Sequence, residues 1–285
     1  ELQQGVDESY ILNFINTTVE LCATTSYGAL RGLETFAQLV QYDFDRRLYF
    51  VQPWCIVDKP RYSFRALLVD SSRHFIPMQI MMRIIESMSF AKLNVLHWHA
   101  MDSHSFPIET PSYPDLWKGS WSEHQRYGIS DMQQMVHFAS LRGIRVMIEI
   151  DGPGHAWSWG VGYKDLLPDN YQQRSGSGCQ ASCPRQPCNV PLDPSKHFTY
   201  QVIDGVFSDL LGVNRSGLFF EDFVHLGGDE VDQACWESSA QIQQWMRTEK
   251  IPSLTGAYKY FVDKQHELAR KRGKVPVAWE EVYAH

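Results

Sequence analysis

The chain has 285 residues, with 26 Lys and Arg against 33 Asp and Glu, for a formal net charge of −7. Its hydrophobic fraction of 44% is too apolar for a disordered chain. The acidic balance argues against nucleic acid, which needs a basic face, and no apolar run approaches the ~20 residues of a membrane span. Residues 9–22 read as strands, with Tyr10, Leu12 and Phe14 alternating against Asn13 and Asn16. Residues 27–42 read as a helix, in which Leu30, Leu33, Ala37 and Val40 would form one apolar face. Tyr49 to Val57 is another strand candidate, and Pro60 breaks the pattern.

A different rhythm follows. Short apolar runs each end in chemically capable residues: Arg65–Asp70, Leu93–His99, Ile144–Asp151, Val224–Glu230 and Val275–Glu280. Amphipathic stretches separate them at 78–90, 131–142 and 256–271, with methionine stripes that suit core packing. Apolar strands alternating with helices imply βαβ units and a parallel sheet. No glycine-rich fingerprint follows the first strand, and polar residues sit at every strand end. Both features favour a (β/α)8 TIM barrel over an open doubly wound sheet. Five of eight strands are counted. The expectation is therefore an α/β chain in which 1–58 is the C-terminal part of a small α/β N-terminal domain. Residues 59–285 would then be the N-terminal part of a catalytic barrel, and the whole a fragment of a longer polypeptide.

Of six cysteines, Cys179, Cys183 and Cys188 crowd one stretch rich in Gly, Ser, Pro and Gln, while Cys22, Cys55 and Cys235 stand apart. No His lies at zinc-ligand spacing inside the cluster, so disulfides are the better reading. The sequons at Asn16 and Asn214 agree with a secretory route. The 9 Trp, 13 Tyr and 15 Phe suit flat ligands such as sugar rings, although most aromatics in any protein are core.

Four strand-end motifs carry chemistry. In His225-Leu226-Gly227-Gly228-Asp229-Glu230 the paired glycines admit a close ligand. Adjacent carboxylates at a strand end would resist joint ionisation, so that one could serve as a general acid. A strand end capped by solvated acids is the plain alternative. His97 and His99 point to the same side of a strand. That arrangement is open to zinc ligation with a further His, or to a hydrogen-bonded core pair. Asp151-Gly152-Pro153-Gly154-His155 is a tight turn able to hold Asp151 and His155 at a barrel mouth. In Asp70-Ser71-Ser72-Arg73-His74 the arginine fork can clamp hydroxyls, or form an ordinary ion pair.

Together these stretches, with Gly28–Phe36, Asn94–His99, Ser105-Phe106-Pro107, Gly143–Val146 and Trp279-Glu280-Glu281, resemble the family 20 glycoside hydrolases. These are the β-N-acetylhexosaminidases, and the wording is most similar to plant-type secretory enzymes. The resemblance implies an exo-acting enzyme that removes terminal β-linked GlcNAc or GalNAc from oligosaccharides or glycoconjugates. It implies retention of configuration by substrate assistance, and no cofactor or metal. Glu230 would be the acid and base, Asp229 would orient the acetamido group, and His155 with Asp102 behind it would complete a relay. Arg73, Asp151 and His99 would belong to the substrate-binding group, and Trp279 to the aromatic wall around the acetamido group. His97 and His99 then become scaffolding rather than zinc ligands. The resemblance also suggests a Cys188–Cys235 disulfide, with Cys179–Cys183 and either Cys22–Cys55 or an upstream partner for Cys22. It implies a vacuolar or lysosomal, or extracellular, enzyme of the secretory pathway. A homodimer is the assembly common among relatives. Ser103 stands where many relatives have a second acid. A non-catalytic sugar-binding relative would have lost an acid or its relay, yet Asp102, His155, Asp229 and Glu230 are all present.

Overall fold

The computed structural model describes residues 2–15, 17–171, 179 and 189–284. Two compact units share the chain, and they interleave along it. One comprises Glu1–Leu67, Gln79–Leu96 and Met135–Arg145; the other comprises Leu68–Met78, His97–Gln134 and Val146–His285.

The first unit opens with strands β1 (Tyr10–Ile15) and β2 (Thr18–Ala23), helix α1 (Ser26–Leu39), and strands β3 (Gln41–Asp43), β4 (Leu48–Phe50) and β5 (Cys55–Asp58). β1 pairs antiparallel with β2 on one side and β5 on the other. β3 and β4 form a separate hairpin, so the strand expected over 49–57 is two short strands in different sheets. Thr25 caps α1 by accepting the Gly28 N–H at 3.1 Å. The buried face of α1 is not the expected leucine stripe. Gly28, Arg31 and Gly32 are buried, while Leu33, Ala37 and Val40 are exposed. A Cβ at Gly28 would meet Ser9 O at 2.3 Å, and one at Gly32 would meet Leu21 Cδ1 at 2.4 Å. The helix therefore packs through its smallest residues. Arg31, 2% exposed, donates to Glu8 at 2.7 Å and to the Gly143 carbonyl at 2.9 Å.

The remaining elements are β6 (Ala66–Asp70), α2 (Met78–Phe90), β7 (Val95–His99), α3 (Ile129–Ser140), β8 (Arg145–Glu149), α4 (Trp157–Gly162), α5 (His197–Leu211) and β9 (Phe223–His225). They continue with α6 (Gln233–Glu237), α7 (Ala240–Thr248), α8 (Leu254–Lys271), β10 (Val275–Val277) and α9 (Glu281–Ala284). The five strands β6 to β10 make one parallel sheet in chain order, with helices between them, as in the first part of a (β/α)8 barrel. Every residue of β7 and β8 is buried, as expected for parallel strands covered on both faces. The methionine stripes are core: Met81, Met88, Met132 and Met135 are at most 2% exposed. Helices α5 and α7 were not singled out in the sequence. α5 is apolar over much of its surface, with seven buried residues, so its period is weak.

The expected disulfides need correction. Cys235 on α6 is bonded to Cys179, which removes both the Cys188–Cys235 and the Cys179–Cys183 pairings, since each sulfur forms one such bond. Cys183, Cys188 and the sequon Asn16 lie outside the described residues. Cys22 and Cys55 are free and exposed. They sit on β2 and β5, on opposite sides of β1, opposite Ile11 and Asn13. Two strand spacings, about 10 Å, exceed the roughly 7 Å that a disulfide can span. Asn214 is exposed in a turn with φ 49°.

Candidate active site

Site residues gather where the strands of the second unit end. Asp70 closes β6, and its Oδ1 accepts the backbone N–H groups of Ser72 and Arg73 at 2.9 and 3.0 Å. This local turn aims Arg73 back, with guanidinium nitrogens 2.8 Å from Asp70 and 2.7 Å from Asp102. After β7, Asp102 is 1% exposed and surrounded by bases. Its Oδ2 lies 3.1 Å from His99 Nε2 and 3.1 Å from His155 Nδ1, and its Oδ1 lies 3.2 Å from His104 Nδ1. Burial alone would push the Asp102 pKa up. The hydrogen bonds from His155 and His99, with the charge of Arg73, hold it far below the usual carboxylate range.

The turn after β8 carries Asp151 and His155. The paired glycines after β9 make room for Asp151. Gly227 has φ 64°, and a Cβ there would fall 1.6 Å from Asp151 Oδ1. The Gly228 N–H then donates to that same oxygen at 3.3 Å. Asp151 is raised to about 8, first by burial and further by Glu149 and Asp229, against the opposing His155 and His99. Burial would lower both histidines. The Asp102 hydrogen bond outweighs it at His155, raised to about 9, and Asp102 with Glu149 outweighs it at His99, raised to about 10.

His155 has Asp102 on one side and the adjacent acids on the other. Its Nε2 lies 3.5 Å from Glu230 Oε2 and 3.9 Å from Asp229 Oδ1. The Glu230 side chain is 67% exposed and that of Asp229 26%. Asp229 Oδ1 is nevertheless buried, with no hydrogen-bond partner among the described residues. Burial raises the Asp229 pKa, and Glu149 and Glu230 add to it, against His155. His155 and Glu230 both have positive φ, 55° and 51°. For non-glycine residues this conformation costs about 1–3 kcal/mol and clusters at functional sites.

The structure thus brings Arg73, His99, Asp102, Asp151, His155, Asp229 and Glu230 into one neighbourhood. It adds a centre that sequence reasoning did not assign. Glu149 is 0% exposed, with His97 Nε2 at 2.7 Å, His99 Nδ1 at 2.9 Å, His225 Nδ1 at 3.2 Å and Trp279 Nε1 at 3.0 Å. Trp279 is fixed by this bond and by its ring packing on His225 at 4.5 Å. The available signal was a single acid inside the apolar run 146–150, since glutamate is almost never fully buried unless paired. Asn189 also lies here, with no pattern in the sequence to mark it. Its Oδ1 accepts the His155 N–H at 2.5 Å and its Nδ2 donates to the Glu230 carbonyl at 2.5 Å.

Four sets of three groups come within 4.8 Å of one another and could hold a cation: His97-Glu149-His225, His99-Glu149-Asp151, Asp102-Asp151-His155 and His155-Asp229-Glu230. In the first three, the close imidazole–carboxylate pairs lie 2.7 to 3.2 Å apart. A tetrahedral zinc would hold its ligand atoms about 3.3 Å apart. The closest of these pairs, at 2.7 and 2.9 Å, are at hydrogen-bond distance.

A profile of the glycosyl hydrolase family 20 catalytic domain matches residues 62–285, and one described as beta-acetyl hexosaminidase like matches residues 1–39. Beta-hexosaminidase 1 of Arabidopsis thaliana is 45% identical, over 100% of this chain and 50% of that protein. The human beta-hexosaminidase subunit beta is 37% identical, over 97% of this chain and 48% of its own. Among solved structures, a chitobiase of Flavobacterium johnsoniae superposes with a TM-score of 0.85 at 29% identity, covering 99% of this chain and 41% of that one. The chain spans about half the length of the curated relatives it matches.

Proposed function

The chain belongs to glycosyl hydrolase family 20, and from that premise we propose that its strand-end carboxylates serve an exo-acting β-N-acetylhexosaminidase. Its substrates would be glycoconjugates ending in β-linked GlcNAc or GalNAc. One contrast between neighbours carries the reading. Asp229 Oδ1 is buried and has no hydrogen-bond donor among the described residues, while Glu230 stands exposed with His155 behind it. A buried acceptor left without a donor is costly, and the N–H of a 2-acetamido group supplies one. An exposed carboxyl backed by an imidazole suits proton transfer to a group that arrives from solvent.

The chemistry runs in two steps. Glu230 gives its proton to the glycosidic oxygen as the bond from C1 to that oxygen breaks. The acetamido carbonyl oxygen of the same sugar forms a bond to C1 in its place, so the leaving alcohol departs and an oxazolinium ring is made. The attacking atom is already tethered to the reacting sugar, which makes the step effectively unimolecular. Asp229 accepts from the acetamido N–H and balances the positive charge on the ring. In the second step Glu230, now a carboxylate, takes a proton from water as the water oxygen bonds to C1 and the ring opens. Two inversions at C1 leave the β configuration retained. Arg73 binds hydroxyls of the terminal sugar, Asp151 and His99 line the same pocket, and Trp279 forms a wall against the acetamido group.

A secretory route, to a vacuole or lysosome or outside the cell, is supported by the Cys179–Cys235 disulfide and by the exposed sequon at Asn214. Among the described residues no helix is long and apolar enough to cross a membrane. The deciding experiment is Glu230→Gln in the full-length protein, assayed on an aryl N-acetyl-β-glucosaminide. Turnover should fall by about 100- to 10,000-fold, the range a positioned acid–base group supplies. A near-normal rate would sink the assignment.

A further inference from the structure

We propose that Asn189 is a positioning residue that sets the reach of the Glu230 carboxyl by tying its backbone to that of His155; this rests on the glycosidase reading above. The side-chain amide spans two separate turns. On one side its Oδ1 accepts the His155 N–H, and on the other its Nδ2 donates to the Glu230 carbonyl, both at 2.5 Å. The orientation of the amide is dictated by its partners, because a backbone N–H can only donate and a carbonyl can only accept.

The two residues it joins are the two non-glycine positions of the site with positive φ, 55° and 51°. Neither would hold that conformation without support from its surroundings. Asn189 supplies such support to both at once. The same bridge fixes the separation of the two backbones whose side chains must meet, His155 Nε2 and Glu230 Oε2 at 3.5 Å. There is little slack between the turns. A Cβ at Gly154 would lie 2.8 Å from the Asp229 carbonyl.

Asn189 is itself held. The Ala156 N–H donates to Val190 O at 3.2 Å and the Leu192 N–H to Pro153 O at 2.8 Å, so residues 189–192 run alongside the 153–156 turn. Trp236 Nε1 donates to Leu192 O at 3.0 Å, which pins this segment to α6, close after Glu230 in the chain. Glu230 receives a second backbone support, its N–H donating to Glu281 Oε2 at 3.0 Å. The Asn189 amide is the contact that joins the acid's backbone to that of the imidazole beside it.

A residue that places the acid matters in proportion to how much the leaving group needs a proton. The test compares Asn189→Ala and Asn189→Asp with the unaltered full-length protein on two substrates. One is N,N′-diacetylchitobiose, whose sugar leaving group needs protonation. The other is a 2,4-dinitrophenyl N-acetyl-β-glucosaminide, whose leaving group does not. Asn189→Asp keeps the shape and the acceptor for His155, while it replaces the donor to Glu230 by an acceptor and adds a negative charge, so it still breaks the bridge if the alanine variant folds poorly. The expected result is a loss of about 100-fold in kcat on the disaccharide, the cost of misplacing a reacting group by about 1 Å, against less than about tenfold on the activated substrate. An equal loss on both substrates, or none on either, would overturn the positioning role. Failure of the unaltered protein to hydrolyse either substrate would instead overturn the glycosidase reading.

Discussion

Glu8 and Asp102 are both carboxylates almost wholly removed from solvent, and each is closed in by basic groups of a different kind. Around Glu8 stand Arg31 at 2.7 Å, Arg65 at 2.8 Å and the Asn94 amide at 3.0 Å. Around Asp102 stand one arginine and three imidazoles. Guanidinium does not give up its proton, so the Glu8 cluster is a fixed ion lattice that joins α1 to the backbone at residues 65 and 94. Imidazole does exchange protons, and His155 leads from buried Asp102 to exposed Glu230. The same problem, a carboxylate out of water, is solved with guanidinium and amide donors at one place and with titratable imidazoles, one of them beside exposed Glu230, at the other.

The contrast can be broken most severely at Asp102. Asp102→Asn leaves the shape of the hub but removes the charge that keeps His155 protonated. Hydrolysis of aryl N-acetylglucosaminides should fall by about 100-fold or more, with its pH profile moved toward acid. An unchanged profile would place Asp102 on the structural side with Glu8. Glu8→Ala should do the reverse. Stripping one partner from a buried ion cluster costs about 3–5 kcal/mol of stability, read as a lower urea midpoint, while kcat of the protein that remains folded stays within about twofold, as expected for a residue outside the site. A loss of kcat at unchanged stability would contradict the division.

The smaller effect is with pH, and the two clusters should answer in opposite directions. His155 and His99 are raised to about 9 and about 10. Their contribution is complete below the unfolded value of about 6.5 and is lost as pH rises through 9 to 10. Asp151, raised to about 8, acts in the same sense at lower pH, because the native state keeps a proton that the unfolded state has released. Glu8 is lowered, by hydrogen bonds from Arg65 and Arg31 that overcome its burial, so its contribution is present above about 4.3 and is lost in acid. Amide exchange, corrected for intrinsic rate, should therefore speed up at pH 9.5 over residues 97–104 and 150–156. It should stay constant there over 5–12 and 28–34. Equal acceleration in both sets would erase the distinction.

The barrel strands were legible because each is a short apolar run with a polar end, a pattern imposed by a strand covered on both faces and open at one tip. The conjunction of Asp102, His155, Asp229 and Glu230 came from the family resemblance and not from periodicity, although each follows a strand. What stayed hidden was set by contacts distant in the chain. Glu149 reads as part of a strand until His97, His99, His225 and Trp279 converge on it. Asn189 gains meaning only from two turns 34 and 41 residues away. The buried face of α1 escapes hydrophobic periodicity, which counts leucines, whereas the packing there is decided by where a Cβ has no room. Disulfide pairing failed likewise. Crowded cysteines say that a loop is tied but not to what, and Cys179 rather than Cys188 reaches Cys235.

The Trp279 indole has one polar hydrogen, and it is already committed to Glu149. What the indole can still offer a visitor is contour and a π face, with nothing to donate. In the role proposed for Trp279, such a face would read outline instead of bonding pattern. Analogues that enlarge the acyl group should be excluded by bulk, whereas swapping one polar atom for another of equal size against this wall should pass almost unnoticed.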